Sequence, residues 1–125
     1  MITNKIRLSV KQLLENIGRV YSNVASDESL NYMVYRLNQS NRYPNRYDYT
    51  LLIDLYFDSI ETIEDKCDEI IELLNYKQHN NEYVWLTFYL ESRGIMTDVD
   101  KDIQVRSLRF QIIAYERSNQ YEKRI

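Results

Sequence analysis

The stretch Glu82–Arg117 reads EYVWLTFYLESRGIMTDVDKDIQVRSLRFQIIAYER, and its two halves decide the fold. From Tyr83 to Leu90, and again from about Val105 to Glu116, the residues alternate at the two-residue period of a strand. In the first run Trp85, Thr87 and Tyr89 alternate with Val84, Leu86, Phe88 and Leu90. Both faces are apolar, so this strand is expected to be central or covered on both sides. In the second run Leu108, Phe110, Ile112 and Ala114 face the core. Arg109, Gln111, Ile113 and Tyr115 form a mixed outer face able to meet a partner. The segment between the runs is acidic and contains a Gly but no Pro. It is too long for a tight turn and too polar to bury, so a projecting loop is expected at about residues 91–103.

Upstream, Tyr47–Phe57 is another strand, with Tyr49, Leu51, Ile53, Leu55 and Phe57 on one face and Asp48, Thr50, Asp54 and Asp58 on the other. A further strand lies near Leu30–Leu37, followed by the polar loop Asn38–Arg46 around Pro44. Val10, Leu13, Leu14, Ile17, Val20, Tyr21 and Val24 make the stripe of a first helix, closed by Ala25–Glu28. Its start is open between two readings: Ser9 and Gln12 form a capping box, or Ile2 and Ile6 continue the stripe backward and the helix instead starts at Thr3. Asp58 and Ser59 open a second helix with Ile60, Ile63, Cys67, Ile70, Ile71 and Leu74 on its buried stripe. Glu61, Glu64, Asp65, Asp68, Glu69 and Glu72 cover its wet side. The expected fold is α+β: a mainly antiparallel four-stranded sheet packed against two helices, in the order α-β-β-α-β-β. Residues 1–125 read as one domain with a mobile tail at about 118–125.

Composition narrows the function. Hydrophobic content of 44% and charged content of 28% are those of an ordinary globular domain. A net charge of −3 disfavours nonspecific nucleic-acid binding, which wants a basic surface. The interleaved Arg42, Tyr43, Arg46 and Tyr47 hint at base stacking, but acidic neighbours count against it. No run approaches the roughly 18 apolar residues that span a bilayer, and no secretory signal opens the chain. A cytoplasmic origin fits. Twelve Tyr against two Gly and one Pro fit either an interface-rich protein or an AT-rich genome. Residues 54–102 carry 13 acidic and 4 basic side chains, whereas the flanking segments are each net +3. This split is either a solvated acidic helix face or a surface for a basic patch on a neighbour.

Chemistry finds few parts. His79, the single histidine, sits in the polar run KQHNN and reads as an exposed loop residue without a ligand or nucleophile beside it. Cys67 lies on an apolar helical stripe and reads as core. Asp98, Asp100 and Asp102 invite a calcium loop, but the sixth and twelfth positions would be Ile103 and Arg109, so the pattern fails. The helix-two carboxylates face solvent, where nothing would shift their pKa values. No cofactor, metal site or catalytic residue is expected, and the chain does not read as an enzyme.

The segments YTLLIDLYFDSIETIEDKCDEIIELL and VWLTFYLESRG…DVDKDIQVRSLRFQIIAYER, with the Arg-rich approach to the last strand and the Tyr-Glu-Arg ending, resemble tail terminator proteins of long-tailed bacteriophages, also called tail completion or tail-to-head joining proteins. The likeness covers nearly the whole chain. It implies a virion protein of the tail or neck, assembled in the host cytoplasm. The implied partners are copies of itself in a ring, commonly a hexamer, the tail tube protein, and the head connector or neck protein. The ring would terminate the tail tube and join it to the connector. It also makes Ser92–Lys101, with Arg93, Asp98 and Asp100, the projecting contact element. Tyr47, Tyr49, Trp85, Tyr89, Arg109 and Tyr115 are the interface candidates on the strands. The alternatives are another neck or head-closure component, a small acidic adaptor or inhibitor, and a small hydrolase or nuclease relying on His79 or the Asp98–Asp102 trio.

Overall fold

Ile2, Ile6, Val10 and Leu14 recur every fourth residue, and the computed structural model winds them into α1, Ile2–Glu15, with the last three buried. The structure describes residues 2–25, 29–95 and 103–117. The helix stops where Leu14 O accepts from the amides of Ile17 (2.9 Å) and Gly18 (3.2 Å). The chain then enters β1, Val20–Ser22. The expected continuation of the helix through Val24 is therefore corrected. Val20 and Tyr21 fit the helical stripe but also favour strands, and here a parallel partner captures them. Ser9 is no cap either: it lies inside the helix, and its Oγ donates to Lys5 O at 2.9 Å.

Two long antiparallel strands follow, β2 (Tyr32–Arg42) and β3 (Tyr47–Phe57), joined at Tyr43–Arg46. Helix α2, Ile60–Leu74, is capped by Ser59, whose Oγ accepts from the Thr62 amide at 3.4 Å. Ile63, Cys67, Ile70 and Leu74 are its buried stripe. Ile60 is not part of it and stands 58% exposed. Short β4 (Gln78–Asn80), then β5 (Val84–Ile95) and β6 (Gln104–Glu116), complete the chain.

The sheet has six strands in the order β1-β2-β3-β6-β5-β4; it is curled, and it is mixed because β1 runs parallel to β2. This replaces the four-stranded sheet and the order α-β-β-α-β-β. The two strands missed, β1 and β4, are three-residue edge pieces too short to show a period. Strand β5 is second from one edge rather than central. Of the loop expected at 91–103, Glu91–Ile95 belongs to β5 and pairs with β6 after a bulge near Glu91. Residues 96–102 and the tail 118–125 lie outside the described residues.

Registers assign the faces. Leu51, Ile53 and Leu55 of β3 align with Phe110, Leu108 and Arg106 of β6 and with Leu37, Tyr35 and Met33 of β2. This face carries the core, and both helices lie on it. Tyr35 OH donates to Arg7 O of α1 at 3.3 Å, and Arg93 Nη1 donates to Asp68 of α2 at 2.7 Å. The opposite face, with Arg36, Leu52, Arg109 and Ser92 in one row, has no helix over it among the described residues.

Candidate functional site

The helix-free face ends in an aromatic corner where β5 begins and β6 finishes. Trp85 and Tyr115 are cross-strand partners, and they remain 45% and 41% exposed. Two large rings left half in water beside each other are the kind of surface a partner covers. Arg117 places its guanidinium 5.9 Å from the Trp85 ring. On the β2–β3 turn Tyr43 is 47% exposed, with the Arg46 guanidinium 5.2 Å from its ring. Arg46 is held by a fork to Asp48, at 2.7 and 3.0 Å, and that carboxylate is buried. A second buried acid on this face, Asp54, accepts from Arg36 at 2.6 Å and from Ser107 at 2.8 Å. It borders a cavity of about 400 Å³ between Tyr32, Val34, Tyr56 and Val105. These two ion pairs satisfy the buried acids of the face without help from a helix.

The interface candidates separate by environment. Trp85 and Tyr115 are exposed together. Arg109 is half exposed, with Glu91 3.9 Å away. Tyr89 is half-buried and meets Tyr76 edge to face at 5.8 Å. Tyr47 is half-buried, with the Arg42 guanidinium 5.4 Å from its ring. Tyr49 is fully buried, and its hydroxyl shares a hydrogen bond of 2.7 Å with Thr3 Oγ1. It therefore belongs to the core that docks α1, and no partner can reach it. Arg93 is engaged within its own chain by Asp68 and Glu64. Asp98 and Asp100 lie outside the described residues.

On the helix side the pattern of acids needs correction. Glu64 does not simply face water. Arg106, 5% exposed, donates from Nε to its carboxylate, and Arg93 reaches the same group. The hydrogen bond from Arg106, with that from Arg93 behind it, holds the Glu64 carboxyl below the usual glutamate range. Glu61, Asp65, Asp68, Glu69 and Glu72 do remain exposed. The sequence signal for the pair is the parity of Arg106, which falls on the same strand face as Leu108 and Phe110. A cation in a core register requires a buried partner.

His79 is no loop residue. It stands on β4, where its Nε2 donates to Leu73 O at 2.9 Å and its ring meets Phe88 at 5.7 Å. It thereby caps a carbonyl in the last turn of α2. Cys67 is fully buried, and burial pushes its thiol pKa up to about 11, far from the range of a nucleophile. Among the described residues no group of three His, Cys, Asp or Glu is placed to hold a metal ion. None of their helices is long and apolar enough to cross a membrane.

No family model matches the sequence, and no curated protein matches it. In structure the chain is similar to a chain of the virion of a native gene transfer agent particle, at a TM-score of 0.61 and 12% identity over 84% of each chain. At that identity the likeness is one of fold.

Proposed function

We propose that the protein is a structural component of a phage-type virion. In this reading it forms a ring of copies of itself that terminates the tail tube and joins it to the head connector. The exposed Trp85–Tyr115 pair on the helix-free sheet face carries the reading. Both rings sit at one end of the strands, near the Tyr43–Arg46 turn. An axial partner such as the tube or the connector would cover this corner, and Arg117, Arg46 and Arg109 would supply the polar rim. The shared fold with a chain of a virion particle supports the assignment, as does the resemblance of the sequence to tail terminators. No chemistry is assigned: Cys67 and His79 are both spent on structure. The ring is expected to be assembled in the host cytoplasm and to reside in the tail or neck.

Light scattering and negative-stain imaging, with and without isolated tail tubes, test this. Annular particles, or rings seated on tube ends, are the expected result. A strict monomer that ignores tubes at high concentration would sink the proposal.

A further inference from the structure

Two sheet edges are open, and they fit each other. Strand β2 has 11 residues, but β1 covers only Met33–Tyr35. Beyond it, among the described residues, no strand pairs with Leu37–Asn41 on the side away from β3. Strand β5 has 12 residues, and β4 covers Trp85–Thr87. Asn75 closes the next part, bridging Phe88 and accepting from the Leu90 amide through Oδ1 at 2.9 Å. Glu91–Ile95 then has no outer neighbour among the described residues. These edges lie on opposite sides of the sheet, and each would normally be a hazard for uncontrolled pairing.

We infer that Leu37–Asn41 of one copy pairs antiparallel with Glu91–Ile95 of the next, so that neighbours share a continuous sheet; this rests on the self-association proposed above. Direction agrees. The β2–β3, β3–β6 and β6–β5 pairs are all antiparallel, so β2 and β5 run oppositely, and rotation about a ring axis preserves that.

Hydrogen-bond phase agrees as well. The Met33 amide donates outward to Arg19 O at 2.8 Å, and Tyr35 O accepts from the Asn23 amide at 3.0 Å. By alternation Leu37 and Gln39 present the next outward groups. On β5 the Phe88 amide donates outward to Lys77 O and its carbonyl accepts from the Tyr76 amide, just before β4, and beyond the bulge Arg93 and Ile95 inherit that outward role. Gln39 against Arg93 and Leu37 against Ile95 therefore exchange backbone bonds. Ile95, 67% exposed in the monomer, would be covered by the neighbour's Leu37.

The stagger is that of a closed sheet. Gln39 shares a row with Tyr49 and Ile112, and Arg93 pairs with Leu108, an offset of four residues (112 − 108). Four residues at ~3.3 Å across four strands at ~4.8 Å give a strand tilt of about 35°, within the range of barrels.

Asn38 and Gly94 would then face each other as a non-hydrogen-bonded pair, close enough for a disulfide. A Cβ on Gly94 meets nothing within 4 Å, so G94C is tolerated. Chains carrying both N38C and G94C should oxidise to a ladder of covalent multimers. A mixture of the two single variants should stop at dimers, and each single variant alone should give nothing. Gln39→Pro, which removes one outward amide, should weaken assembly at least tenfold with an unchanged circular dichroism spectrum. Oligomers seen by light scattering without ladder or dimers, or assembly indifferent to Gln39→Pro, would overturn the edge pairing and leave the ring. A monomer under all conditions, with no covalent product, would overturn both.

Discussion

The Glu64 carboxylate on α2 accepts from Nε of Arg106, a side chain only 7% exposed at the centre of the sheet. Arg93 on the adjacent strand reaches the same acid, so one residue fastens the helix to two strands. Removing its charge would leave the buried Arg106 guanidinium with neutral acceptors alone, such as the Val105 carbonyl 3.0 Å from Nη1.

Glu64→Gln should therefore lower the stability to urea by about 2 kcal/mol near neutral pH, less than for a fully buried pair because Glu64 is itself 39% exposed. The pH dependence has a definite sign. The folded pKa of Glu64 is depressed from 4.5, so its contribution is present above that value and is lost as pH falls through the folded pKa. The wild-type protein should lose stability on acidification below about pH 4.5, and the Gln variant should show a flatter acid limb. Parallel acid limbs would mean that the ion pair contributes nothing measurable.

Trp85 and Tyr49 give opposite expectations although both were candidates for contact. Trp85→Ala should change the denaturant midpoint by less than about 1 kcal/mol, because the ring already stands 45% in water. Tyr49→Ala should cost about 3–5 kcal/mol, since it empties a fully buried site and removes the hydrogen bond to Thr3 Oγ1. Under the proposed function, Trp85→Ala with Tyr115→Ala abolishes binding to tail tubes while the fold persists. Binding that survives the pair places the contact elsewhere.

Cys67 offers a probe of cooperativity. With the thiol fully buried and its pKa at about 11, reaction with a thiol reagent at neutral pH should follow global unfolding. The labelling rate should track the urea transition. Rapid labelling of the native protein would mean that α2 lifts from the sheet on its own.

These contrasts also mark what the sequence could reveal. The apolar centres of the long elements are legible from their periods, but Asn38–Arg42, expected in a polar loop, extends β2 because its polar side chains carry no strand signal. Tyr47–Phe57 was read to its observed ends, and the core parity of Leu108, Phe110, Ile112 and Ala114 holds. Strands β1 and β4 were not legible, because three residues carry no period and their pairing depends on distant partners. The helical stripe ran on through Val20 because a β-branched residue suits either state. Trp85 and Tyr49 sit on alternating strands that look alike in sequence. Only the sheet order reveals that one ring is under α1 and the other in water. Glu64 looked like its exposed neighbours because the cation that captures it lies 42 residues away.

Tyr76 gives the last test. It follows the α2 C-cap at φ 59°, a left-handed conformation that glycine adopts freely and a side chain does not. Its backbone is fixed there because its amide donates to Phe88 O at 2.8 Å, while Lys77 N donates to Leu74 O at 3.0 Å. Among the described residues its ring gains little in return: it is 77% exposed and meets Tyr89 edge to face. Tyr76→Gly should raise stability by up to about 1 kcal/mol, the relief of the left-handed strain less the lost ring contact. Read by urea midpoint, a loss of stability would instead make the Tyr76–Tyr89 contact the stronger effect. Measured alongside tube binding, the same variant separates two reasons for a tyrosine here. A more stable protein that binds as before has kept Tyr76 for no contact. A more stable protein that no longer binds has kept it as part of the surface around Trp85.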